Sequence, residues 1–280
     1  MTAVGTVRLA VGALTDTGVQ RTNNEDAFLA ESPVFIVADG MGGYEAGEVA
    51  SAAVVDAFRR HASGPVMPSL QQVRDAVIAA NADVAAIAAG HARGAGSTLT
   101  GIVLVEHDGA PHWLVLNIGD SRVYRHHGSD LDQVTVDHSL GQELIEQGAL
   151  RREDLPTFAQ RNVITRAIGA ADSTADSWLL PVINGERMLV CSDGLTGEVA
   201  DEGIRMTLTM SGRPESAAQA LVERAKANGG RDNITVVIVD VLEGGAVLSS
   251  DETTNSLLRS APLDGHDTEL VDDTIPVRVR

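Results

Sequence analysis

Four aspartates in this 280-residue chain stand at the mouths of apolar, strand-like runs, each with a glycine or an asparagine beside it. They are Asp39 in VFIVADGMGG, Asp120 in WLVLNIGDSRVYR, Asp193 in RMLVCSDGLTGEV and Asp232 in GGRDNITVVIVDV. A strand end delivers a carboxylate to a fixed point with little freedom. Taken singly, Asp-Gly after an apolar run is ordinary turn chemistry. Taken together, carboxylates gathered at one edge of the sheets would repel one another and raise their own pKa values. Divalent cations resolve that conflict, and a cage of hard oxygens suits Mg²⁺ or Mn²⁺.

Composition narrows the partners. Aromatic residues make up 3% of the chain, so a core must come from Val, Leu, Ile and Ala. The formal net charge of −18 speaks against a nucleic-acid partner and against anionic membrane surfaces. Cys191 is the only cysteine, which leaves no disulfide and no zinc-thiolate site within the chain. Inside MLVCSD it reads as a buried, inert thiol. The start, MTAVGTVRLAVGALTD, lacks a basic stretch followed by a long apolar one, and no run approaches the roughly 18 apolar residues of a membrane span. The expectation is a cytoplasmic protein with no membrane segment.

Periodicity predicts strands at 6–14, 27–30, 34–38, 97–106, 111–118 and 121–127, then near 163–168, 176–181 and 186–191. WLVLNIGDSRVYR reads as a hairpin turning at Gly119-Asp120. Helical spacing marks 45–60, 69–89, 139–147, 201–210 and 214–228, with Pro214 suited to a first turn and Gly229-Gly230 to a stop. ITVVIVDVL is nearly all apolar and so reads as a central strand. Tandem helices in each half do not fit βαβ alternation. They predict a layered sandwich of mainly antiparallel sheets. From 244 the periodicity is lost and Ser, Thr, Asp and Pro dominate, which predicts a flexible acidic tail over 244–280; TIPVRVR is the candidate for an added strand.

Arg21, in GVQRTNNEDA, can grip a phosphate bidentately or pair with Glu25 or Asp26 at the surface. Glu25 and Asp26 can orient cation-bound waters or form a solvated acidic turn.

The motifs RTNNEDAF, VADGMGG, GSTLTGIVL, NIGDSRVYR, DHSL, RNVITRAIG, CSDGLTGEV and GGRDNITVVIV occur in this order. The ordered set resembles the bacterial branch of the metal-dependent, type 2C serine/threonine protein phosphatases, over roughly residues 6–242. The resemblance implies an α+β fold: a four-layer αββα sandwich, two mainly antiparallel β-sheets flanked by pairs of helices. It implies a catalytic domain over 1–243, with a flap at about 140–162. It implies two to three Mn²⁺ or Mg²⁺ ions. Asp39 would bridge two of them, the carbonyl of Gly40 would bind one, and Asp193 and Asp232 would complete the second. Asp120 with Asp193 would hold a weaker third. Arg21 would bind the substrate phosphate, and Glu25 and Asp26 the cation waters. The reaction would be in-line attack of a cation-bridging hydroxide on phosphoserine or phosphothreonine. The partners would be phosphorylated proteins and a serine/threonine kinase that the enzyme opposes. A catalytically silent phosphoprotein-binding module is the alternative.

One position departs from part of the family. Relatives that carry a histidine after Asp-Gly use it to protonate the leaving group, whereas this chain has Met41. In the tail, Thr253, Thr254 and Thr274 follow acidic residues. Phosphorylated, they would offer a docking point to a phosphothreonine-reading domain.

Overall fold

The computed structural model describes residues 1–42 and 46–247, together with the backbone of Val277–Val279. The strands are β1 (Thr2–Val4), β2 (Val7–Asp16), β3 (Asp26–Glu31), β4 (Val34–Gly42), β5 (Ala95–Ser97), β6 (Leu99–His107), β7 (Ala110–Ile118), β8 (Arg122–His127), β9 (Asp130–Gln133), β10 (Asp176–Pro181), β11 (Arg187–Cys191), β12 (Ile234–Glu243) and β13 (Val277–Val279). The helices are α1 (Ala46–His61), α2 (Leu70–Ala89), α3 (Leu140–Glu146), α4 (Asp193–Thr196), α5 (Asp201–Met210) and α6 (Pro214–Asn228).

One sheet runs β1-β2-β12-β11-β8-β9, and the other β13-β10-β7-β6-β4-β3, with β5 paired to the end of β4. Every pairing is antiparallel except β10 with β13. Side chains alternate across each strand, so a strand with both faces covered must be apolar at every position. In β4, Val34, Ile36 and Ala38 pack under α1 and α2, while Phe35 and Val37 face the other sheet. In β12, Val237, Val239 and Val241 face inward, while Ile234, Val236 and Ile238 lie under α5 and α6. Helix pair, sheet, sheet, helix pair is the four-layer αββα sandwich that the resemblance implied. β12 is central, between β2 and β11.

The helix ends follow local chemistry. Ser69 and Gln72 close a reciprocal capping box at the start of α2. Pro214 opens α6, and Gly229, at φ +148°, ends it.

Two expectations fail. WLVLNIGDSRVYR is not a hairpin, because β7 has both edges occupied by β6 and β10. Gly119 and Asp120 instead carry the chain across to the other sheet, where β8 joins β11. Gly119 sits at φ +110°, a conformation that L side chains rarely adopt. Residues 163–168 form no strand either. Their amides go to separate partners, Thr165 to the carbonyl of His138 and Ile168 to that of Ser97, so no ladder develops. Within TIPVRVR, Val277–Val279 pairs parallel with β10. The tail expected to be flexible falls largely on 248–276, outside the described residues, as do Thr253, Thr254 and Thr274.

Candidate metal centre

Antiparallel pairing decides where the aspartates meet. The start of β3 lies beside the end of β4, and the end of β7 lies on that same side through β6. In the other sheet the end of β11 lies beside the starts of β12 and β8. Asp26, Asp39, Asp120, Asp193 and Asp232 are thus delivered to one rim of the sandwich from both sheets.

Backbone contacts, and for Asp26 a side-chain bond, hold the segments around Asp26, Asp39, Asp193 and Asp232. Asp39 donates its N–H to Thr98 Oγ1 at 2.9 Å, and its carbonyl accepts from Thr98 N–H at 2.9 Å and from Ser97 Oγ at 3.1 Å. Gly40 N–H donates to the carbonyl of Glu25 at 3.1 Å. Asp26 Oδ2 accepts from Ser192 Oγ at 2.8 Å. Asp193 opens α4, and a Cβ on the next residue, Gly194, would sit 1.9 Å from the carbonyl oxygen of Asn233. Only glycine permits that approach, which brings the chain around Asp193 against the chain around Asp232.

Asn233 ties the N-terminal loop to this rim. Its Oδ1 accepts Glu25 N–H at 2.8 Å, and its Nδ2 donates to the carbonyls of Thr17 at 3.0 Å and Asn23 at 2.9 Å. Asp232 Oδ1 accepts Asn233 N–H at 2.9 Å. Asp232 Oδ2 accepts from Arg21 Nη2 at 2.7 Å. The surface pairing considered for Arg21 with Glu25 or Asp26 is therefore corrected: its carboxylate partner is Asp232, because the loop that carries Arg21 folds back over the start of β12.

Crowding sets the electrostatics. Burial, and then the charges of Asp26, Asp193, Asp120 and Asp232, push the Asp39 carboxyl well above the usual carboxylate range. Burial and the Asp193 charge do the same at Asp120. Burial raises Asp193, reinforced by the Asp232 charge and opposed by hydrogen bonding to Asp39. Burial pushes Asp26 up to about 7 against the hydroxyls of Thr235 and Ser192. Glu25 is raised by burial, with Arg21 opposing.

The donor set fits hard cations. Buried oxygens Asp26 Oδ1, Asp120 Oδ1 and Asp193 Oδ1 have no hydrogen-bond partner. Such acceptors, in a group of acids with raised pKa values, are what a cation would satisfy. No three acidic or histidine side chains among the described residues close into a ready ligand set. Cations that keep several waters take only one or two carboxylates each, so a looser ring suits them.

A groove of about 550 Å³ opens onto this rim. Asp120, Asp193 and Asp232 line it, and Leu155, Pro156 and Arg161 of the expected flap form a wall. Cys191 is buried, and burial pushes its thiol up to about 12, which leaves it inert as expected.

The structure thus brings together Arg21, Glu25, Asp26, Asp39, Gly40, Asp120, Asp193 and Asp232. Sequence reasoning missed the side chains that hold them: Thr98, Ser192 and Asn233. A signal existed, since each is a polar residue at the edge of an apolar run, where a buried hydroxyl or amide must find a partner.

The family model described as Protein phosphatase 2C matches residues 18–229. The chain is 36% identical over 241 residues to the serine/threonine protein phosphatase PstP of Mycobacterium tuberculosis, covering 85% of this chain and 46% of that protein. It thus spans about half the length of that curated relative. It is 31% identical over 239 residues to the serine/threonine phosphatase stp of Listeria monocytogenes, of which it covers 93%. Among solved structures it is similar to M. tuberculosis PstP/Ppp, with TM-score 0.77, 34% identity, and coverage of 84% of this chain and 99% of that one. The catalytic domain of PstP in complex with two manganese ions aligns with TM-score 0.74 at 34% identity, covering 85% of this chain and all of that one.

Proposed function

The chain belongs to the protein phosphatase 2C family, and from that premise we propose that it hydrolyses phosphoserine and phosphothreonine in proteins, using two to three Mn²⁺ or Mg²⁺ ions. The observation that carries this reading is the convergence of Asp39, Asp120, Asp193 and Asp232 on one rim, with buried carboxylate oxygens left without partners. In this reading residues 1–243 form the catalytic unit, with 140–162 as its flap.

Asp39, Asp193 and Asp232, with the carbonyl of Gly40, would hold two cations, and Asp120 with Asp193 a third. Bound there, divalent cations lower the pKa of water and neutralise phosphoryl oxygens. The chain's own groups do the rest. Arg21 spends one N–H on Asp232; the rest of its five-donor fork is left for the phosphoryl oxygens. The Asp232 carboxylate keeps the guanidinium at the cluster. Glu25, anchored through its backbone to Asn233 and Gly40, and Asp26, anchored to Ser192, orient waters at the rim. Leu155 and Pro156 give the groove an apolar wall that excludes water from one side of a bound peptide.

No helix among the described residues is long and apolar enough to cross a membrane. A cytoplasmic enzyme that reverses a serine/threonine kinase, with the tail threonines as docking points for a phosphothreonine-reading domain, is part of the same proposal. Mass spectrometry after co-expression with the cognate kinase tests the tail; unmodified threonines would remove that part.

The deciding assay is release of phosphate from phosphothreonine and phosphoserine peptides with Mn²⁺, and again with a chelator. Turnover that needs the cation is the expected result. Peptide binding without turnover would replace the enzyme with a binding module.

A further inference from the structure

Behind Asp120 lies a buried polar arrangement that this chemistry does not use. Gly119 is clamped at both of its polar backbone groups. Its N–H donates to His138 Nδ1 at 3.2 Å. Its carbonyl accepts from His138 N–H at 2.8 Å and from Asn117 Nδ2 at 3.1 Å. The His138 side chain is only 6% exposed.

A nitrogen that accepts an N–H carries no proton there, so Nδ1 presents its lone pair to Gly119. On the far side of the ring, Nε2 lies 3.4 Å from Asp176 Oδ2 and 3.2 Å from Arg166 Nη1. Arg166 Nη1 also donates to Asp176 Oδ1 at 3.2 Å. Asp176 and Arg166 thus hold the ring from one side while Nδ1 holds the Gly119 peptide from the other. The carbonyl of His138 also accepts Thr165 N–H at 2.9 Å, and Ser139 bridges to Ile164, where the groove-wall segment returns to the body.

We propose that His138 is a positioning residue: its imidazole, accepting the Gly119 N–H at Nδ1, holds the Gly119–Asp120 turn so that Asp120 faces Asp193 and completes the cation position those two carboxylates make. The inference rests on the reading of the carboxylate cluster as a divalent-cation site. Asp120 itself gains no anchor from its orphaned Oδ1, so its aim depends on the peptide before it. A partner that orients a ligand in this way typically changes metal affinity by about 10–100-fold when removed.

The test compares Mn²⁺ binding by titration calorimetry in the wild-type protein and in Asp120→Asn, His138→Leu and His138→Asn. Asparagine places an acceptor oxygen near the position of Nδ1, whereas leucine fills the space and accepts nothing. His138→Leu should lose the binding component that Asp120→Asn loses, by about 10–100-fold, and keep the remainder. His138→Asn should stay near wild type. The inference is overturned if His138→Leu binds like wild type, or if His138→Leu and His138→Asn are weakened alike, since packing alone would do that. A wild-type protein that binds no Mn²⁺ overturns the metal reading and this inference with it. Should His138→Leu fail to fold, ¹⁵N spectra of the wild-type imidazole without metal decide: an Nδ1 that carries no proton supports the inference, and a protonated Nδ1 overturns it.

Discussion

Asp26 and Asp39 stand directly opposite one another on β3 and β4, a like-charged pair in register at the end of an antiparallel ladder. Such a pair costs stability unless a proton or a cation intervenes. Burial, with the neighbouring aspartates, pushes Asp26 up to about 7 and Asp39 well above the usual carboxylate range. A group whose pKa is higher in the folded state stabilises the fold while protonated. That contribution is fully present below the unfolded value near 4 and disappears as pH rises through the folded one. In chelator, the melting temperature should therefore fall between pH 5 and pH 8 by several degrees, at roughly 2–4 °C per kcal/mol for a chain of this size. Mn²⁺ at pH 8 should restore it. A flat profile from differential scanning fluorimetry would count against the cluster.

The same repulsion separates function from stability at one residue. Asp39→Asn should abolish nearly all turnover of phosphopeptides, by at least about a hundredfold, on the scale of losing a principal charge-stabilising group. In chelator at pH 8 it should melt above wild type, because a buried carboxylate has gone. Turnover with Mn²⁺ near the wild-type rate would be incompatible with the proposed site.

Ser192 donates to Asp26 Oδ2 and also accepts Thr235 N–H at 3.0 Å. Ser192→Ala frees the carboxylate and leaves a buried amide unpaired, which costs about 1–3 kcal/mol. Calorimetry should show Mn²⁺ affinity lowered by about 10–100-fold. A stability loss with unchanged affinity would reduce Ser192 to a structural role.

Met41 lies in β4 two residues beyond Asp39, opposite Gly96 of β5. It has no proton to give a departing alkoxide. Met41→His is expected to speed phosphoserine peptides several-fold and to leave aryl phosphates, whose leaving groups need no acid, at their original rate; a gain within the 10²–10⁴ range of acid catalysis sets its ceiling. Equal effects on both substrate types would refute this.

Much of the architecture was legible because both faces of the inner strands are covered. That forces VFIVA to be apolar throughout and ITVVIVDV to be nearly so, and it places helices in tandem outside them. The aspartates were legible as strand-end residues, and antiparallel pairing makes strand ends meet. The Gly119-Asp120 crossing was not, since a two-residue turn between apolar runs looks the same whether the chain pairs with itself or passes to another sheet. Only the occupied edges of β7 decide it, and those belong to distant residues. Asn233, Ser192 and His138 escaped notice for a related reason: each acts by holding a backbone or a side chain far away in sequence. Arg21 was legible as a cation near acids, but its partner Asp232 lies 211 residues later in the chain.

Anomalous diffraction at the manganese edge, from crystals grown with Mn²⁺, tests the convergence of carboxylates most directly. Peaks ringed by Asp39, Asp193 and Asp232, and lost in crystals of Asp39→Asn, are the predicted result. A well-ordered map with no manganese at that rim, at millimolar Mn²⁺ and neutral pH, would contradict it.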